Sequence, residues 1–486
     1  MDQKKTPLFT KLYEHYQSSP HSFHVPGHKN GRVFLEEARS IYDNILQIDQ
    51  TEISGLDDLH DAKGIIDEAQ QLAAHLYDVL ETNFLVGGST VGNLAMMMTV
   101  ADRGDRVFVQ RNSHQSVFHG LELGGVKPVF LEPEWDNATG LALGVSRETL
   151  ERAVAAYGDA KAVFLTHPTY EGYGQDLRDI IRVAHEAELC VCVDEAHGAH
   201  LIFDDGNGLW PQSSLKAGAD IVVQSAHKML PAMTMASFLH INSEKVDRVK
   251  VKNYLRMLQS SSPSYPLMAS LDIARAYLGA MEKKDWDRIT EKGNIWRAGL
   301  ESGLSWRQSP RVIGNYVQDP LKLTFVTDEP GAAKEWKERL EEIGAFPELV
   351  SPHHLLLTLP LAADKMDEDR WIPLLNKILR LKKQQVSRQD DTMQRIERIS
   401  ELTYCYEEMK YLPVTSLNWE KTEGYVSAET ITPYPPGIPL LLKGEKVKRH
   451  HLYTMKKLVQ DGASFQTGTD WIKEGLTIFL EKGNDL

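Results

Sequence analysis

Cysteine is scarce. Cys190, Cys192 and Cys405 are the only three in 486 residues, too few for a disulfide framework. Cys190 and Cys192 fall in the apolar run Leu189-Cys-Val-Cys-Val193, where strand alternation puts both on one face. Their spacing matches no zinc site, so both read as small core residues in a reducing compartment, and no metal is expected. No stretch reaches the roughly 18 uncharged apolar residues of a membrane span. The first fifteen residues lack the apolar core of a signal peptide. A cytoplasmic protein is therefore expected. Positive charge is also short, with 54 Lys and Arg against 68 Asp and Glu, a formal net charge of −14. Nucleic-acid binding normally needs a basic face for phosphates, so no such partner is expected. Repeats and low-complexity tracts are absent.

What is present is ordinary globular composition, 42% hydrophobic, with length for two to four domains. Residues 1 to about 60 read as an arm: a short helix around Leu8–Tyr16, then turn-rich segments. From about 60 to 245 the pattern alternates. Helical spacing in Ile65–Leu80, Val91–Ala101, Ser116–Leu123, Arg147–Tyr157 and Leu177–Ala187 is interleaved with short apolar runs. Those runs are Asn83–Val86, Arg106–Gln110, Lys127–Leu131, Ala162–Thr166 and Cys190–Asp194, followed by Ile221–Gln224 and Ser237–Ile241. Buried strands alternating with amphipathic helices predict an α/β fold whose mainly parallel sheet is covered on both faces. Helical spacing returns at Glu244–Leu258 and Ser270–Glu282. A smaller α/β unit begins near 305, with strands at Lys322–Val326 and Leu355–Leu359 and helices at Ala332–Ile343 and Glu368–Leu381. The polar run 382–391 would connect it to a third unit. That unit holds Thr432-Pro-Tyr-Pro-Pro-Gly-Ile-Pro439, too proline-rich for a helix or a central strand. The basic stretch Lys443–Lys457 reads as a solvated face.

Three segments carry chemistry. Gly87-Gly-Ser-Thr-Val-Gly-Asn93 lies between strand and helix, where Ser89 and Thr90 offer hydroxyls at a helix amino terminus and make an anion site. Alone it is equally an ordinary capped turn. Val193-Asp-Glu-Ala-His-Gly198 closes an apolar strand, and the carboxyl ends of parallel strands are where ligands sit. Alone, Asp194 is as readily a helix cap or an ion-pair partner. Ser225-Ala-His-Lys228 places a lysine just past another strand, a candidate for an imine with a carbonyl compound. Together they supply what pyridoxal 5'-phosphate requires: a cradle for phosphate, a carboxylate for the pyridinium nitrogen and an amine for the aldehyde.

With these residues on view, the chain resembles the fold-type-I, pyridoxal-phosphate-dependent ornithine/lysine/arginine decarboxylases, in the short bacterial form without the amino-terminal wing domain. The resemblance runs over nearly all of the sequence. It rests on His24-Val-Pro-Gly-His-Lys29, Leu56-Asp-Asp-Leu-His60, Arg111-Asn-Ser-His114, Asp194-Glu-Ala-His-Gly198, Ser225-Ala-His-Lys228, Ser261-Ser-Pro-Ser-Tyr265 and Tyr434-Pro-Pro-Gly-Ile-Pro439. It implies an aspartate-aminotransferase-like fold: an arm over 1–60, a large cofactor domain over 61–300, a small α/β domain over 301–390 and a C-terminal domain over 391–486. By the same resemblance Lys228 would hold the cofactor, Asp194 would pair with its ring nitrogen, and Ser89, Thr90, Ser225 and His227 would bind phosphate. His114 would stack on the ring and Ala196 would pack on its other face, with His197 nearby. Lys228 or His227 would return the proton to Cα. Ser262 would reach the phosphate of a neighbouring subunit, implying a homodimer or a higher homo-oligomer with shared active sites. The implied activity is decarboxylation of arginine, lysine or ornithine in polyamine metabolism.

Some positions depart from the family pattern. Gly87 stands where Asn or Gln is usual, Gln115 replaces a lysine, and His167 stands for an asparagine. Met229–Met235 replaces a small-residue run. These changes bear on substrate identity more than on cofactor use. Transamination or aldol cleavage on the same scaffold, and a non-catalytic pyridoxal-phosphate- or polyamine-binding regulator, are the competing readings. No acidic residue is assigned to the substrate's distal cation; Glu429, beside the proline-rich motif, is a weak candidate that alone reads as a surface carboxylate.

Overall fold

The computed structural model describes all residues except 204–205, 207, 301–305, 330, 381–396, 435–436, 461, 467–468 and 481–486. The expected linker 382–391, its boundary at 390/391, and Pro435 and Pro436 of the proline-rich motif lie outside the described residues. The chain forms two compact units, Met1–Val100 with Cys190–Asp204 and Gln212–Lys283, and Ala101–Leu189 with Asp205–Pro211 and Lys284–Leu486. No described helix is long and apolar enough to cross a membrane.

The first unit carries four sheet strands in the order Glu81–Leu85, Ser237–Ile241, Ile221–Gln224, Cys190–Asp194. The last two run parallel, as sequence patterning predicts. Ser237–Ile241 instead runs antiparallel to both of its neighbours. The connection from Gln224 to Ser237 carries the four-residue helix Ala226–Met229, too short to lie along a sheet face as the helix of a parallel crossover does.

Gly88–Val100 is the helix that organises this unit. It begins three residues after Leu85, with Gly88 at φ +75°, a turn that L residues resist. Further along, a Cβ on Gly92 would lie 2.4 Å from Cγ2 of Val223. The helix therefore rests directly on the strand Ile221–Gln224, and only glycine permits that approach.

The amino-terminal helix Pro7–Gln17 is docked rather than free. Leu8 and Leu12 are fully buried, and the Leu8 and Phe9 N–H groups donate to Asp272. Asp272 pairs with Arg275 on the helix Tyr265–Gly279, which Ser264 caps. The motif containing Asp57 is fixed to the same helix, because the Tyr265 hydroxyl donates to the Asp57 carbonyl and His60 Nε2 lies 2.8 Å from the Ser260 carbonyl.

In the second unit Arg106–Gln110 runs parallel to both Ala162–Thr166 and Lys127–Leu131, with Ile399–Glu401 added antiparallel at the edge. A four-stranded antiparallel sheet follows, in the order Trp306–Gln308, Lys322–Thr327, His354–Thr358, Leu349–Val350. The carboxyl-terminal part packs Ile431, Leu441, Val447, Met455, Trp471 and Leu476 into its own core. There, among the described residues, Thr432–Tyr434 pairs with Ser464–Gln466 in a two-stranded ribbon that tolerates proline. Within the basic stretch, Lys443 and Lys448 pair with Glu122 and Glu397.

Gly92→Ala is expected to lower stability by about 1–3 kcal/mol through overpacking. In thermal melts, the Gly92→Ala/Val223→Ala double variant should lose less than the sum of the two single losses.

Candidate active site

In the first unit, one helix brings three sequence motifs together. Ser89 and Asn93 are four residues apart on Gly88–Val100, so they share a face one turn apart. At the amino-terminal end, Ser225 Oγ donates to Ser89 Oγ at 2.8 Å. One turn further along, Asn93 Nδ2 donates to Asp194 Oδ2 at 2.8 Å. The other carboxylate oxygen of Asp194 accepts the Ala196 N–H at 3.1 Å. Asp194 is 3% exposed, so its oxygens are fixed by donors rather than by bulk water.

Lys228 lies in the short helix Ala226–Met229, three residues past Ser225. Its Nζ is 3.0 Å from Nε2 of His197, which sits in the turn after the strand Cys190–Asp194. His227 turns elsewhere: its Nδ1 lies 3.1 Å from the Ala236 carbonyl and donates to it. Ala196 is buried, and Thr90 is exposed in the first helical turn. Ser262 is exposed before the helix Tyr265–Gly279, its N–H donating to Ser260 Oγ at 3.2 Å.

Sequence reasoning gave no role to Asn93, Glu195 or Gln224. Glu195 is fully buried. Its Oε1 accepts from Ser213 Oγ at 2.9 Å and Gln224 Nε2 at 2.7 Å, and its Oε2 accepts from the N–H and hydroxyl of Ser214. Gln224 Oε1 in turn meets His240 Nε2 at 3.1 Å, and His240 Nδ1 meets Thr82 Oγ1 at 2.9 Å. Because Glu195 accepts, Gln224 turns its amide donor toward it and its carbonyl toward His240, which assigns the proton of His240 to Nε2. Burial holds that imidazole neutral, down to about 3. Burial also pushes Glu195 up to about 7 against the pull of its hydrogen bonds. The i, i+4 spacing of Ser89 and Asn93 was a legible signal for Asn93. The Glu195 network joins residues too far apart in sequence to leave one.

In the second unit, His114 caps the helix Gln115–Gly124, its Nδ1 accepting the Ser116 N–H at 3.2 Å. A side chain at Gly437 would begin 4.0 Å from His114 Nε2. Arg111 fixes that proline-rich segment by donating to the carbonyls of Pro439 at 2.7 Å and Leu440 at 3.1 Å, and to Glu445 at 2.9 Å. His167 is buried, and a Cβ on Gly174 would lie 2.8 Å from its ring. The Glu429 carboxylate accepts from Thr469 Oγ1 and from the Thr477 N–H at 2.6 Å, so it is engaged within its own domain.

Residues 6–310 match the family described as Orn/Lys/Arg decarboxylase, major domain, and residues 388–465 match its C-terminal domain. The chain belongs to the Orn/Lys/Arg decarboxylase family. It is 40% identical to the uncharacterized protein YaaO of Bacillus subtilis, covering 98% of this chain and 99% of that one. It is 33% identical to an arginine decarboxylase of the same organism, covering 97% of each. The lysine decarboxylase LdcF of Francisella novicida superposes with a TM-score of 0.78 at 19% identity, covering 98% of this chain and 81% of that one. The chain is thus a pyridoxal-phosphate-dependent carboxy-lyase with the fold expected from sequence.

The first unit fits that cofactor. Two hydroxyls meet at the amino terminus of a 13-residue helix opened by a positive-φ glycine, a chemistry suited to phosphate. A fixed carboxylate suits a ring nitrogen, and an amine suits an aldehyde.

A pH prediction follows from Glu195. Because its folded value lies above the ordinary 4.5, the group favours the fold below about pH 4.5, and that contribution is lost as pH rises through about 7. Wild type should therefore lose more stability between pH 5 and 8 than Glu195→Gln does. Melting temperatures measured across that range check this.

Proposed function

We propose that this chain decarboxylates a basic amino acid, arginine or lysine ahead of ornithine, to the corresponding amine and CO₂ in polyamine metabolism. One observation carries the reading: a single helix ties Ser225 at one end and Asp194 one turn on, while Lys228 and His197 stand in contact. Arginine comes first among the substrates, since a relative named arginine decarboxylase is 33% identical along 97% of the chain.

In this reading Lys228 holds the cofactor covalently, and Ser89, Thr90, Ser225 and His227 hold its phosphate at the helix amino terminus. His114 and Ala196 would each contact its ring. The cofactor supplies an electron sink for the pair released as the Cα–carboxylate bond breaks. Asp194 strengthens that sink by holding a proton at the ring nitrogen. Asn93 and the Ala196 N–H keep its carboxylate aimed, so no reorientation is needed as charge develops. Once CO₂ has left, Lys228 Nζ or His227 returns a proton to Cα.

A cytoplasmic location accords with three cysteines that are all unpaired. We further read the enzyme as a homodimer or larger homo-oligomer in which Ser262 reaches a neighbouring subunit's phosphate. Ser262 is exposed, and the helix Arg39–Ile48 shows Ile41, Tyr42 and Ile45 to solvent at 77, 50 and 39% exposure, an apolar face of the kind that subunits cover.

CO₂ release from arginine, lysine and ornithine tests the activity, and one substrate should exceed the others by about tenfold or more. Release from none, with efficient amino transfer to a keto acid, would sink it. Borohydride reduction followed by peptide mapping should mark Lys228, and Lys228→Ala should lose the cofactor's visible absorption. Sedimentation should show a dimer or larger, and Ser262→Ala should weaken cofactor binding. A fully active monomer would refute the shared site.

A further inference from the structure

We propose that His197 is a catalytic residue that carries the proton between an incoming substrate amine and Lys228 as one replaces the other. This rests on Lys228 being the lysine that holds the cofactor. The exchange needs a proton carrier. As the incoming amine forms its bond to carbon, it must lose an N–H proton. As the carbon–Nζ bond of Lys228 breaks, Nζ must gain one. A single imidazole that takes the first proton and delivers the second balances the exchange without external acid or base.

His197 is built for that task. Its Nε2 lies 3.0 Å from Lys228 Nζ, within direct transfer distance. The residue is 6% exposed, so its position is set by packing rather than by solvent. The turn that presents it is closed by the Gly198 N–H donating to the Glu195 carbonyl at 2.9 Å. Gly198 has no room for a side chain, since a Cβ there would lie 2.5 Å from Glu195 Cγ. Glu195 is itself anchored by Ser213, Ser214 and Gln224. The buried network that sequence reading missed therefore holds the start of this turn rigid and, with it, the imidazole against Nζ.

The described contacts of several neighbouring titratable groups run to other atoms. Both Asp194 oxygens accept from Asn93 and Ala196, Glu195 accepts from its three anchors, and His227 Nδ1 faces the Ala236 carbonyl. Tyr77 donates its hydroxyl to the Ala199 carbonyl. The contact described for Nζ is the one to His197.

Hydroxylamine displaces the holding lysine without any decarboxylation, so the test reads exchange rather than turnover. In the holoenzyme, displacement of Lys228 by hydroxylamine is followed by the change in visible absorbance. His197→Ala and His197→Gln should both exchange at least about tenfold more slowly than wild type, as loss of a proton-transfer group implies. Added imidazole should restore part of the rate in His197→Ala. Exchange by both variants within about twofold of wild type would overturn the proposal. So would a normal rate in His197→Gln alone, since that side chain keeps a polar contact but cannot take up and pass on a proton. A slow His197→Ala that imidazole leaves slow would also overturn it. If borohydride marks a lysine other than Lys228, the underlying assignment fails; if Lys228 is marked and the His197 variants exchange normally, only this inference fails.

Discussion

The close approach of the helix Gly88–Val100 to the strand Ile221–Gln224 is the constraint on which the candidate site depends. At Gly92 the gap leaves no space for even a methyl group. That contact sets the height of the helix over the sheet, and so the reach of Ser89 to Ser225 and of Asn93 to Asp194. A helix held one side chain further out would still bury its apolar face. It would no longer bridge the two strand ends that carry Asp194 and lead to Lys228.

Beneath those strand ends lies a second layer of control made of buried polar groups. Glu195, Gln224, His240 and Thr82 form a chain in which each donor and acceptor is assigned by its neighbour. Such a chain is costly when broken, because a buried polar group without a partner loses its water without compensation. The same property makes it a rigid support. It connects the strand holding Asp194, the strand leading to Lys228 and the edge strand Glu81–Leu85. In the second unit Arg111 does a comparable job, binding the proline-rich segment beside His114 through backbone carbonyls.

Much of this was legible in the sequence for local reasons. The strands Arg106–Gln110, Lys127–Leu131, Ala162–Thr166, Cys190–Asp194, Ile221–Gln224 and Ser237–Ile241 stand where short apolar runs between polar turns put them. Helix ends were less legible. Gly88–Val100 starts inside the glycine turn rather than after it, because a positive-φ glycine lets the turn open straight into a helix. The stretch Glu244–Asp247 has helical spacing but precedes the helix, which begins at Arg248 once Asp247 has capped it. The direction of Ser237–Ile241 was not legible either, since an apolar run looks the same in either orientation.

By itself, the sequence determined the α/β class, the strand-end motifs and the kinds of group the chemistry needs: an amine, a carboxylate and hydroxyls at a helix start. These follow from composition and spacing along a local period, which short-range sterics and burial enforce. Only the tertiary structure decided which side chains serve one another. Asn93 and Asp194 are 101 positions apart, and Lys228 and His197 are 31 apart. Their meeting depends on how strands are ordered and how closely a helix can settle on them, and no local pattern encodes either.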